Sequence, residues 1–151
     1  VTWGRSGIGH NTARGLGPRG ASVLASPDGG RNRSQRICDE HPGITVCVAD
    51  VARPDDAART NALASDARGR LDGLVNLAGA GAILPLQQVT AERIDASLAV
   101  GPGPRAAPAL PHLIATRGAI ITVSSTFGRK PATSLSHHAA SRAALEHLAR
   151  C

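Results

Sequence analysis

An α/β fold built on a parallel sheet with helices on both faces is predicted by three features of this sequence. Short apolar runs recur at 21–25, 44–48, 74–77 and 119–123. Each is followed by a longer stretch of helical character. The 42% hydrophobic content is almost free of aromatics, with Trp3 and Phe127 alone and no Tyr, so the core must be filled by Ala, Val, Leu and Ile. Small aliphatic side chains suit helices packed closely on a sheet.

The elements follow in order. Val1 and Thr2 read as the remnant of a first strand. The four apolar runs do not alternate with polar residues, as expected of strands buried on both faces. Arg53, Pro54, Asp55 and Asp56 start a helix well, with proline near the first turn and acids at its positive end, and Gly69 stops it. Thr90 is placed to cap a short helix through Val100. Prolines 102, 104, 108 and 111 then fall where a long helix is expected before the 119–123 strand. An interior proline costs about 3 kcal/mol, so that helix is expected to be short, kinked or frayed. A last helix over 136–150 places Ala140, Ala144 and Leu148 on one face for close packing. Strand–helix–strand repeats at these spacings imply right-handed crossovers. The 151 residues make one domain, 1–151.

Composition excludes several functions. The formal charge is +6, yet the arginines are scattered singly, as at Arg14, Arg59, Arg93 and Arg117, and no aromatics interleave them to stack on bases. No nucleic-acid partner is therefore expected. Three cysteines, at 38, 47 and 151, are too few and too irregular for a disulfide framework or a zinc site, so no metal is expected. No segment has the apolar length of a membrane span. The expected setting is the cytoplasm, without a membrane partner. The chain opens on Val1, already inside a motif, and a fragment of something longer is expected.

That motif is Thr2-Trp3-Gly4-Arg5-Ser6-Gly7-Ile8-Gly9. Glycines between a strand and a helix let backbone approach a pyrophosphate, which rests on the unpaired N–H groups of the helix. Alone this is a weak signal, and a ligand-free Gly-rich turn explains it nearly as well. Further blocks follow in order: Asp50-Val51; Asn76-Leu77-Ala78-Gly79; Ile120 to Ser125; and His138-Ala139-Ala140-Ser141-Arg142. Together these resemble the short-chain dehydrogenase/reductase family over nearly the whole chain. The family's blocks are T-G-x-x-x-G-x-G, D-V, N-N-A-G, a serine after the fifth strand, and Y-x-A-S-K.

The resemblance implies a Rossmann-type sheet, incomplete at its C-terminal edge, that binds NAD or NADP. It implies hydride transfer between that cofactor and a small carbonyl or secondary-alcohol substrate. Cofactor contacts fall on Thr2, Gly4, Arg5, Ser6, Gly7, Ile8, Gly9, Asp50, Val51, Asn76, Ala78, Gly79 and Arg142, with Ser125, His138 and Arg142 at the catalytic positions. Each has a plainer reading beside it. Asp50 can cap the next helix, Gly79 can simply turn the chain, and His138 can be a solvated helix residue. Asp28, Arg31 and Arg33 offer both an acid for NAD and bases for NADP, and with Arg5 the balance tips slightly to NADP. Family members often pair through the helices flanking the active site, which makes a homo-oligomer an option that the prolines weaken.

The departures bear on activity. Trp3 replaces the first glycine. His138, 13 positions after Ser125, stands where the resemblance puts tyrosine, and Arg142 stands where it puts lysine. No Tyr exists in the chain and no Asn follows Asn76, so a tyrosine and the family's helix asparagine are missing under any alignment. Arginine cannot join a proton relay because it does not deprotonate. The sequence therefore also fits a non-catalytic nucleotide-binding or interaction protein, or a truncated product without function.

Overall fold

A computed structural model describes residues 1–2, 7–26, 38–39, 41–79, 81–100 and 106–151. Its strands are β1 (Val23–Ala25), β2 (Ile44–Val46), β3 (Gly73–Asn76) and β4 (Ala119–Thr122). The helices are α1 (Gly7–Leu16), α2 (Pro54–Asp66), α3 (Ala91–Val100), α4 (Leu110–Thr116) and α5 (Ser136–Leu148). Each strand lies within or one residue from its predicted run. The helix ends follow the signals that predicted them. Pro54 opens α2 behind an extended Arg53, with Asp55 and Asp56 in its first turn, and Gly69 lies beyond it at φ 65°.

The strands form two parallel pairs, β1 with β2 and β3 with β4. Residues 1 and 2 join them. Thr2 bridges Ser26 in parallel, Ser26 N donates to Val1 O at 2.9 Å, and Thr2 N donates to Val75 O at 3.0 Å on the other side. Val1 and Thr2 thus complete a five-membered parallel array, ordered β2, β1, the Val1–Thr2 segment, β3, β4. Counted along the chain this is the Rossmann order, which reverses beside the first strand.

The pairings put Val1, Val75 and Ala25 on one face of the sheet. Ala13 of α1 packs on that face against Val23, Ala25 and Ile44. Leu74, one residue out of step with Val75, faces the other side and packs on Ala109 and Leu113 beside α4. Helices on both faces are what the sequence predicted. The core residues are small aliphatics, as composition required.

Two expectations need correction. β4 is not buried on both faces: Ile120 is 40% exposed and Ile121 57%. It is an edge strand, paired on one side alone among the described residues. The predicted packing face of the last helix is also rotated. Ala140 and Leu148 point outward, and His137, Ser141, Arg142 and Leu145 are the buried positions. Small size suggested a packing face, but the true face is set by which residues meet the loop after β3. The helix ahead of β4 is short, as the prolines predicted: α4 has seven residues, with Pro111 in its first turn.

Thr2 carries the sheet's central junction in its side chain as well. Its Oγ1 accepts the N–H of Leu77 at 2.8 Å and of Ala78 at 3.0 Å, all in a buried setting. A buried amide left without an acceptor costs about 1–3 kcal/mol. Thr2→Val should therefore lower unfolding stability by about that amount, while Thr2→Ser stays close to the parent. Urea denaturation compares the three; an unchanged midpoint for the valine variant would remove Thr2 from this role.

Candidate functional site

The carboxyl ends of the strands, the start of α1 and one side of α5 enclose a pocket of about 320 Å³. Gly7 opens α1 with φ 57°, a left-handed value that glycine adopts without strain. Gly9 and Ala13 are the buried residues of α1, and their small size lets the helix lie close on the sheet. The first turn holds no acid, so its partial positive charge faces the pocket uncompensated from within the helix.

Across the pocket, α5 contributes His138 and Arg142, which lie one turn apart on the same stripe. Leu77 comes from the end of β3, and Val123, Ser124 and Ser125 from the end of β4. Arg142 is 5% exposed. Its Nη1 donates to Val123 O at 3.2 Å and its Nη2 to Ala78 O at 3.4 Å, tying the ends of β3 and β4 together. Burial draws its pKa below the usual guanidinium value, yet arginine stays a cation at ordinary pH. A Cβ on Gly79 would overlap Arg142 Nη2, and one on Gly81 would lie 2.8 Å from His138 Nδ1. Glycine at 79 thus makes room for the guanidinium, and its φ is not positive.

His138 lines the pocket and is half-buried, not solvated, while its neighbour His137 is the one fully inside. His137 Nε2 accepts the N–H of Ala82 at 3.1 Å, which ties the helix to the loop after β3. Ser125 Oγ accepts from Phe127 N at 3.3 Å, which leaves its own O–H free to donate into the pocket.

The structure therefore brings together Gly7, Ile8, Gly9, Ser125, His138 and Arg142, with Ala78 and Gly79 against the guanidinium. Asn76 is buried at the end of β3, where its backbone O accepts from Val123 N. Thr2 has its hydroxyl turned into the sheet. Asp50 lies apart: its Oδ1 accepts from Ala52 N, and its own N donates to Asp56 Oδ2, a local turn into α2. That is close to the capping reading of Asp50. Val51 is buried and lines a larger cavity of about 1290 Å³ together with Thr2, Ser26, Asp72 and Gly73. That cavity holds none of the catalytic candidates. Trp3, Gly4, Arg5, Ser6, Asp28, Arg31 and Arg33 lie outside the described residues.

One group went unnoticed in the sequence. Glu146 Oε1 accepts from Ser124 Oγ at 2.9 Å and Oε2 from Arg129 Nε at 2.7 Å. Its position one turn beyond Arg142 was the available signal. These hydrogen bonds, Arg129 first and then Ser124, hold the Glu146 carboxyl below the usual carboxylate range. A carboxyl depressed by folding adds stability that is present above its unfolded pKa and lost as pH falls through the folded one. Melting temperatures of the parent and Glu146→Gln should therefore differ at about pH 6 and converge toward about pH 3. A constant difference across that range would show that the charge is not responsible.

The whole chain, residues 1–151, matches the model of the short chain dehydrogenase family. It is 33% identical over 156 aligned residues to 11-beta-hydroxysteroid dehydrogenase 1A of Arabidopsis thaliana, covering 96% of this chain and 44% of that protein. A crystal structure of a short chain dehydrogenase from Mycobacterium smegmatis superposes with a TM-score of 0.91 at 30% identity, over 100% of this chain and 66% of that one. A metagenomic short-chain oxidoreductase, solved in complex with NADP, gives 0.87 at 30% identity over 98% of this chain and 71% of the other. The chain spans about half the length of the curated relatives it matches. Strand order, pocket and ordered motifs agree with these likenesses, and the chain belongs to the short-chain dehydrogenase family.

Proposed function

We propose that this chain is an oxidoreductase that binds NAD(P) across the start of α1 and the carboxyl ends of the strands, and exchanges hydride with a carbonyl or secondary alcohol. The observation that carries the reading is the pocket where Gly7, Ile8 and Gly9 face Ser125, His138 and Arg142. The residues fit a phosphate-bearing ligand: an uncompensated helix start, a buried cation and the Ser125 hydroxyl converge, with no acid in the lining among the described residues. NADP is favoured over NAD by Arg5, and the NADP held by the metagenomic relative is in keeping with that choice.

Within this reading each side chain has a task. The bound cofactor supplies or accepts the hydride. Ser125 donates its O–H to the substrate oxygen and orients it. His138 is the group placed to hold or release a proton, since an imidazole nitrogen can both accept and donate one. Arg142 supplies positive charge and hydrogen bonds without passing protons. Proton transfer is accordingly the weak step. Even a ~1 Å misplacement of a catalytic group can cost about 10²-fold in rate. The compartment is proposed to be the cytoplasm; among the described residues no helix is long and apolar enough to cross a membrane.

A second reading, dinucleotide binding without turnover, is favoured by the absence of any tyrosine. Fluorescence titration with NADH and NADPH, followed by assay over a panel of small carbonyls, separates the two. The proposal expects saturable binding and slow turnover; binding alone supports the second reading, and no binding by folded protein overturns both. His138→Tyr with Arg142→Lys should raise turnover by about 10² or more, the usual worth of a well-placed general acid. Unchanged turnover in that double variant would make the missing asparagine the deeper defect.

A further inference from the structure

Arg142 presents a charge imbalance that the family resemblance does not account for. The side chain is 5% exposed, two of its nitrogens are satisfied by neutral carbonyls, and Nε is buried without a hydrogen-bond partner. Among the described residues no carboxylate pairs with it. Glu146, one turn along α5, is directed away to Ser124, Arg129 and Arg150. A buried ion without counter-charge is strongly unfavourable, and proteins meet that cost with a partner ion. The start of α1 adds a second source of positive potential in the same pocket, whose lining contains no acid among the described residues.

We propose that this pocket is an oxyanion site, in which a phosphate or carboxylate group pairs directly with the Arg142 guanidinium against the start of α1. The inference rests on the dinucleotide reading above and sharpens it. The resemblance places at this position a lysine that holds ribose hydroxyls, a neutral ligand. A guanidinium is instead a planar fork suited to two oxygens of one anion. The sequence change thus converts a sugar contact into an ion-pairing one. The anion is supplied either by the cofactor's phosphates or by an acidic substrate. The Ser125 hydroxyl lies in the same lining and can donate to it, whereas that of Ser124 is given to Glu146.

The test uses the full chain with inorganic pyrophosphate, NADPH and acetate as probes, read by isothermal titration calorimetry. The parent should bind pyrophosphate, more weakly as salt is raised. Arg142→Met should lose about tenfold or more in affinity, the loss of a charge-assisted contact, with Arg142→Lys in between. Because Arg142 also ties two strand ends together, melting temperatures are taken in parallel. Salt dependence on the unmodified protein keeps the test independent of any variant's folding. Pyrophosphate that displaces NADPH assigns the anion to the cofactor. Acetate that binds beside NADPH, and is lost in Arg142→Met, assigns it to the substrate. If NADPH and pyrophosphate bind the parent and a folded Arg142→Met equally, the oxyanion site is overturned while the dinucleotide reading stands. If pyrophosphate binds through Arg142 but NADPH does not bind at all, the oxyanion site stands and the dinucleotide reading falls. A parent that binds none of the three probes overturns both.

Discussion

Thr2 is the residue on which the rest of the architecture depends. The pairs β1–β2 and β3–β4 are each held by their own ladder, and residues 1 and 2 carry the hydrogen bonds that join them. Thr2 gives its N–H to Val75 and receives two more N–H groups on its hydroxyl, from Leu77 and Ala78. Parallel strands bring all their carboxyl ends to one edge, and this junction sets the register of one half against the other. The chain then leaves toward α1 on one face, whereas the chain leaving β3 leads to α3 and α4 on the other. The crevice opens where those paths diverge, as ligand sites do in open α/β sheets.

Arg142 sits at that divergence and does two things with the same atoms. Its bonds to Val123 and Ala78 close the ends of β3 and β4, a structural role that a shorter side chain would not fill alone. Its charge, unmatched by any described acid, gives the crevice its electrostatic character. Gly79 is the counterpart of that choice, because any side chain there would occupy the guanidinium's place. A structural clasp and a binding cation are compatible here, since five N–H donors exceed the two carbonyls that engage them.

Much of the scaffold was legible because its signals are local. β-Branched runs marked the strands, Pro54 with Asp55 and Asp56 marked the start of α2, and Thr90 marked α3, where its hydroxyl also holds Glu92 below its usual pKa. The prolines foretold the brevity of α4. What sequence could not show depends on direction in space. The buried face of α5 was misjudged because alanines suggest packing, whereas Arg142 and His137 go inward to meet partners more than fifty positions away. Buried arginine is rare enough that pattern reading places it outside by default. The ordered motifs named Ser125, His138 and Arg142, which the fold brings to one pocket, and Glu146 was missed because its partners, Ser124 and Arg129, are brought to it by the fold alone.

The two histidines of α5 separate binding from proton transfer. His137, with Ser141 and Leu145, lies on the stripe that faces the core, and it accepts a hydrogen bond from Ala82 N. His138 and Arg142 lie on the next stripe and line the pocket, and the resemblance sets them against the family's tyrosine and lysine. What survives of that pair is position and positive charge; what is lost is a phenol whose proton a nearby amine helps to move. Charge and position govern how a ligand is held, whereas a relay needs groups that gain and lose protons in turn. In the proposed reading the geometry kept is therefore that of holding an anionic ligand, with His138 the candidate among the described residues for proton transfer.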